Sequence, residues 1–157
     1  MPLTFDFKQS VDEVRNILTD PDFLVERNLT LGDIESDCEV EEDEDEIIVR
    51  MSRKMPVEMN ALLAKIFDPI QQLNMVETWH RDGDNWEGEY EIKNKGQPVT
   101  LSASFSLKAK GKGSRYEITH RCKAKVPLIG GKIEKACLAQ TPDGAKKELE
   151  YAKQKLG

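Results

Sequence analysis

Between Val99 and Lys108 the chain alternates without an error, Val99, Leu101, Ala103, Phe105 and Leu107 against Thr100, Ser102, Ser104, Ser106 and Lys108. Successive strand side chains point to opposite faces, so a period of two predicts a strand buried on one face only. The pattern recurs on both sides of this segment. Leu3, Phe5 and Phe7 alternate with Thr4, Asp6 and Lys8, and Ile34, Ser36, Cys38 and Val40 oppose Glu35, Asp37, Glu39 and Glu41. Ile47, Val49, Met51, Arg53 and Met55 share an inner face, as do Leu73, Met75, Glu77 and Trp79. Trp86, Gly88, Tyr90 and Ile92 follow, and Tyr116, Ile118, His120, Cys122, Ala124 and Val126 complete a predicted set of seven strands. Turns are expected at the acidic tip Glu42 to Asp45, at Asp82-Gly83-Asp84, at Asn94-Lys95-Gly96 and at Gly111-Lys112-Gly113.

Helical signals bracket these strands. Ser10 with Glu13 forms a capping box, and Asp20-Pro21-Asp22 ends that helix and starts another that closes near Gly32. Val57 to Phe67 reads as a short helix stopped by Asp68-Pro69. Beyond Pro127 and the pair Gly130-Gly131, the residues Ile133, Ala136, Cys137, Gln140, Ala145, Leu149, Ala152 and Leu156 keep helical spacing. Pro142 interrupts them. It either kinks one long helix or, with Thr141 as N-cap, starts a second segment.

A chain of 157 residues, 38% apolar and 33% charged, fits one globular domain over residues 1–157. Its net charge of −6 excludes general nucleic-acid binding, which needs a basic field. The charge is uneven. Asp33 to Glu46 holds ten acids and no base, whereas Lys108 to Lys135 carries nine bases against two acids. These runs read as solvated strand faces, with a basic face attracting an anionic headgroup or partner as the sharper alternative. Three scattered cysteines, with no signal peptide or membrane-length apolar run, predict reduced thiols, a cytoplasmic location and no integral membrane association.

Strand, paired helices, six meandering strands with one short helix inserted, then a long terminal helix: this order resembles the START-like superfamily (SRPBCC, helix-grip, polyketide cyclase-like). Leu18 to Leu24 (LTDPDFL) and Val126 to Lys135 (VPLIGGKIEK) are similar to a bacterial branch of it whose function is unknown. The resemblance implies an α+β helix-grip fold, a seven-stranded curved antiparallel sheet around the C-terminal helix, holding a hydrophobic small molecule or lipid between them. Some members of the superfamily catalyse cyclisation or hydration and others bind a chaperone. Pro142, falling in what is usually a continuous helix, is the departure.

The inner faces define a candidate ligand pocket. Pairing hairpins by their turns sets Trp79, Trp86, Phe105 and His120 in one cross-strand row. A second holds Met51, Glu77, Gly88, Ala103 and Cys122, and a third Met75, Tyr90, Leu101 and Ala124. Gly88 and Ala103 remove side-chain volume and would floor the pocket, with Ile133 and Cys137 of the terminal helix above, unless that helix simply packs down onto them. Arg53 and Glu77 are expected to neutralise one another, or else to grip the polar end of a ligand.

Neither histidine has zinc-ligand spacing, the acidic tip lacks the calcium-loop order, no glycine-rich loop precedes a helix, and no serine sits in a nucleophile elbow. No metal or cofactor is expected. Non-catalytic binding of a hydrophobic molecule is therefore the first expectation. A cyclase or hydratase using His120 and Glu77, with Tyr90 converging on the same void, is the second. A chaperone- or protein-interaction module is the third.

Overall fold

The computed structural model describes residues 2–157. Its elements run β1 (Leu3–Phe7), α1 (Val11–Leu18), α2 (Pro21–Thr30), β2 (Glu35–Glu42), β3 (Glu46–Pro56), α3 (Ala61–Ala64), β4 (Ile70–Asp82), β5 (Asn85–Asn94), β6 (Val99–Lys110), β7 (Gly113–Ala124) and α4 (Gly130–Leu156). All seven strands form one antiparallel sheet ordered β1-β7-β6-β5-β4-β3-β2. The sheet is curved and wraps the long C-terminal helix.

Local chemistry sets the boundaries. Ser10 Oγ accepts from the Glu13 backbone N–H at 3.2 Å, and Asp20 caps α2 with Pro21 at its first position. Within Val57 to Phe67 only Ala61–Ala64 is helical, because Asn60 caps the turn from its own side chain, accepting from the Leu63 N–H at 2.9 Å. Ile34, expected to face inward, is half exposed and precedes the β2 ladder.

The alternation assigned strand faces correctly, but the rows are shifted. Gly83, at φ 60°, and Asp84 alone make the β4–β5 turn, so Asp82 pairs with Asn85. Trp79 then stands opposite Gly88, Gly88 opposite Phe105 and Phe105 opposite Ile118. The next row reads Val49, Glu77, Tyr90, Ala103, His120, and the one after it Met51, Met75, Ile92, Leu101, Cys122. A two-residue slip moves neighbours but leaves every side chain on its own face.

Two apolar clusters result. The larger centres on Trp79, Trp86, Phe105, Ile47 and Val14 and receives Leu149 and Ala152 from α4. The smaller joins Leu63, Phe67, Val99 and Ile133. Helix α4 is thus held near both ends over different clusters. At its start it lies tight on β7, where a Cβ on Gly130 would come within 2.8 Å of the Ala124 carbonyl. The helix runs unbroken through Pro142, so that residue starts no second segment.

Candidate functional site

Where the sheet faces α4 between its two anchors lies a partly open cavity of about 90 Å³. Strands β3, β4 and β5 supply Met51, Arg53, Met75, Glu77, Trp79, Tyr90 and Ile92, and β7 supplies Tyr116 and Ile118. From the helices come Leu18, Leu24, Arg27, Ala145, Glu148 and Leu149. Space for roughly three waters, at about 30 Å³ each, is far less than a drug-sized ligand fills.

A charged network forms one part of the wall. Arg53 is held in a fork by Asp33, with Nε to Oδ2 at 2.7 Å and Nη2 to Oδ1 at 3.0 Å, and donates from Nη1 to Glu148 Oε2 at 2.9 Å. Arg27 approaches the other Glu148 oxygen at 3.6 Å and donates to Asn28 Oδ1 from both Nε and Nη2. Burial opposes the Glu148 charge, but Arg27 and then Arg53 outweigh it and hold the carboxyl below its ordinary range. The expected Arg53–Glu77 pair does not form, because Asp33 and Glu148 saturate the guanidinium from outside the sheet.

Glu77 stands apart from any such ion pair. Its Oε1 accepts from Trp79 Nε1 at 2.7 Å, and burial pushes its pKa up to about 7 despite that bond and the attraction of Arg27. Tyr90 sits directly opposite it across the β4–β5 ladder. Burial, reinforced by Glu148 and Glu77, raises the Tyr90 hydroxyl, and Tyr116 is raised chiefly by burial as well. Both are neutral hydroxyls at physiological pH.

Of the residues expected in the pocket, Met51, Arg53, Met75, Glu77, Trp79 and Tyr90 line this cavity. The others stand elsewhere for identifiable reasons. Gly88 opens no space, because the Phe105 ring and the Thr78 carbonyl already occupy the position of its missing Cβ. Trp86 packs edge-on to Trp79, with centroids 6.4 Å apart, and Phe105 stacks on Tyr116 at 5.5 Å, so both fill the core. Ala103 is fully buried in the same cluster, and Leu101 lies in the row of Ile92 and Cys122 without reaching the cavity.

His120 misses the cavity. It faces Ala103, its ring lies 6.1 Å from that of Tyr90, and its buried Nε2 has no partner among the described residues. Burial lowers its pKa. Ile133, Cys122 and Cys137 belong to the smaller cluster, where a thiol hydrogen bond from β7 to α4 lowers Cys137 and raises Cys122. Cys38 is pushed up to about 11, mainly by burial.

Arg27, Glu148 and Tyr116 are the polar wall residues that sequence reasoning missed. No periodic signal in the sequence distinguishes Arg27 or Glu148 from the other charges of their helices. A separate depression of about 440 Å³ between α1 and β2 is open to solvent, and Arg15 and Glu42 in its wall pair with each other at 2.8 Å. Among the described residues no group of three or more His, Cys, Asp or Glu is placed to hold a metal ion. None of the helices is long and apolar enough to cross a membrane.

Residues 3–156 match the family described as "Protein of unknown function (DUF2505)". The chain belongs to the DUF2505 family. No curated protein matches its sequence. Among solved structures, this DUF2505 chain is similar to TTHA0849 from Thermus thermophilus, at TM-score 0.64 and 12% identity over 98% of this chain and 94% of that one. A START superfamily protein from Mycobacterium smegmatis aligns at TM-score 0.63 and 11% identity, covering 100% and 98%. Human STARD10 aligns at TM-score 0.60 and 11% identity, covering 96% of this chain and 62% of that one. At such identities the likeness is one of fold: this DUF2505 domain has the START-like helix-grip architecture.

Proposed function

We propose that the chain binds a mainly apolar small molecule bearing an uncharged polar group, reversibly and without chemistry, between the sheet and α4. The observation that carries this reading is the composition of the cavity wall. Met51, Met75, Ile92, Ile118, Leu18, Leu24 and Leu149 offer apolar surface, while Tyr90, Tyr116 and Glu77 offer hydroxyl and carboxyl groups. Apolar lining with a few polar groups is how binding sites combine affinity with orientation. The likeness to a START superfamily fold supports the same reading.

Charge balance favours a neutral polar end. Arg27 and Arg53 are already matched by Asp33 and Glu148, so no free cation remains to receive a carboxylate or phosphate. Below about pH 7 Glu77 is protonated and able to donate to a ligand carbonyl or hydroxyl. Because the cavity is only about 90 Å³, a lipid-sized molecule fits only if α4 lifts from the sheet.

Native mass spectrometry of protein recovered from its host, followed by two-dimensional NMR titration with any retained compound, tests the reading. Resonances of Met51, Met75 and Tyr90 should shift on binding, and Ala145→Phe, which fills the cavity from the helix side, should weaken binding at least tenfold. Absence of a retained or exchangeable apolar compound, or a ligand that binds Ala145→Phe undiminished, would falsify it.

A further inference from the structure

We infer that the β7–α4 end of the molecule is a docking surface for anionic lipid membranes, with Leu128 as the inserting side chain. Leu128 is fully exposed and, at φ 69°, is the one non-glycine residue with positive φ among the described residues. Glycine would adopt that backbone without strain, and a polar residue would not leave apolar surface in water. A leucine bears both costs. Nor is the loop slack: Lys125 N–H donates to the Pro98 carbonyl at 2.8 Å, Ile129 to Pro127 at 2.8 Å and Gly130 to Val126 at 3.0 Å. Val126 and Ile129 anchor it to the cluster under α3. Leu128 therefore projects from a braced turn.

The surrounding charge suits an anionic surface. Lys123, Lys125, Lys132 and Lys135 flank the loop, with Lys65 beside α3 and Lys95 in the β5–β6 turn at the same end, all exposed. Ion pairs of lysine among the described residues involve Lys93, Lys110 and Lys155, and none of these six. Glu134, the acid nearest the loop, turns inward to accept from the Ala124 N–H at 2.9 Å. Glu58 and Asp68 are the exposed acids in the segment holding α3. At the opposite end the hairpin turns carry Asp43, Glu44, Asp45 and Asp84 together with Lys112, and the last turn of α4 adds Lys153 and Lys155, so charge of both signs is mixed there. The Leu128 end thus concentrates unpaired lysines around one exposed apolar side chain, whereas the other end mixes both signs, which would orient the molecule on a negative surface.

A fluid interface fits these features better than a protein partner does. A stable protein interface needs about 800 Å² on each side with an apolar centre, whereas one leucine among dispersed lysines supplies a small insertion plus diffuse attraction.

Co-sedimentation of the full chain with phosphatidylcholine vesicles, with and without phosphatidylglycerol, tests the assignment. Binding should require phosphatidylglycerol and weaken as salt rises. Leu128→Gln should reduce it ~tenfold or more, Lys125→Gln and Lys132→Gln ~fivefold each, and Lys112→Gln at the far end should leave it unchanged. Leu128 touches no core, so its variant folds, and circular dichroism checks this. Wild-type protein that stays in the supernatant at low salt overturns the assignment. So does full binding by Leu128→Gln, or a dimer in sedimentation velocity that Leu128→Gln dissolves, since a second copy would then be what covers the leucine.

Discussion

Glu77 is a carboxyl held in the fold by one indole hydrogen bond and no ion pair, with a pKa near 7 against an ordinary 4.5. The sign of its effect on stability follows directly. Below about pH 4.5 the group is protonated in both folded and unfolded chains and contributes nothing. As pH rises towards 7 the unfolded chain ionises first, so stability falls, by on the order of 3 kcal/mol once the folded state has also ionised. Glu77→Gln keeps an acceptor for Trp79 and removes the titration. Denaturant unfolding at pH 5 and pH 8 should show the variant close to wild type at pH 5 and more stable at pH 8. An equal loss at both pH values would mean that the charge is stabilised in the fold. Two neighbours behave differently. Arg53→Met strands the Asp33 carboxylate, whose side chain is 2% exposed, and should cost about 3–5 kcal/mol in the same measurement. Gly88→Ala drives a methyl into the Phe105 ring and the Thr78 carbonyl and should cost about 1–3 kcal/mol.

Helix α4 is the element whose displacement would widen the cavity, since Ala145, Glu148 and Leu149 line it. Ile133 ties its first half to the smaller cluster, while Leu149 and Ala152 tie its second half to the larger one. Pro142 lies between these anchors, and Ala145, the first cavity-lining residue of the helix, follows within one turn. Lacking an N–H, Pro142 leaves the Leu138 carbonyl without its helical donor, and the Thr141 hydroxyl donates to the Cys137 carbonyl at 2.8 Å next to that gap. The helix is weakest where opening would expose the cavity. Pro142→Ala should restore the missing bond, stabilising the fold by on the order of 1–3 kcal/mol and slowing hydrogen exchange from Cys137 to Thr141. If the proline serves as a hinge, the same variant should also take up ligand more slowly. Unchanged exchange in that stretch would show that the missing bond leaves the helix no weaker.

Across the whole molecule, the sheet and helix leave a space of about 90 Å³ between them, too small for most ligands, so on the proposed function binding and opening would be one equilibrium. Any compound that binds the folded chain alone stabilises it by mass action, by about 2.7 kcal/mol at a hundredfold excess over Kd. Thermal unfolding should therefore shift upward with ligand concentration. For a cavity that must open, hydrogen exchange in α4 should change more than exchange in β5 or β6, which sit in the middle of the sheet. A uniform change across all elements would mean that the helix does not lift.

Strand faces, the seven-strand count and the terminal helix were legible in the residues, because periods of two and 3.6 follow from backbone geometry that every residue shares. The error over Gly88 shows where such reasoning ends. A glycine on an inner face suggests empty volume, but the β5–β6 register pairs Gly88 with Phe105, whose ring lies over it. Glu77 was placed facing inward, yet its freedom from Arg53 depended on Asp33 and Glu148, which are 20 and 95 residues from that arginine along the chain. Periodicity constrains each segment separately. Which groups meet across the cavity, and how large it is, depends on register and on how closely α4 settles on the sheet, and only the packed tertiary structure decided these.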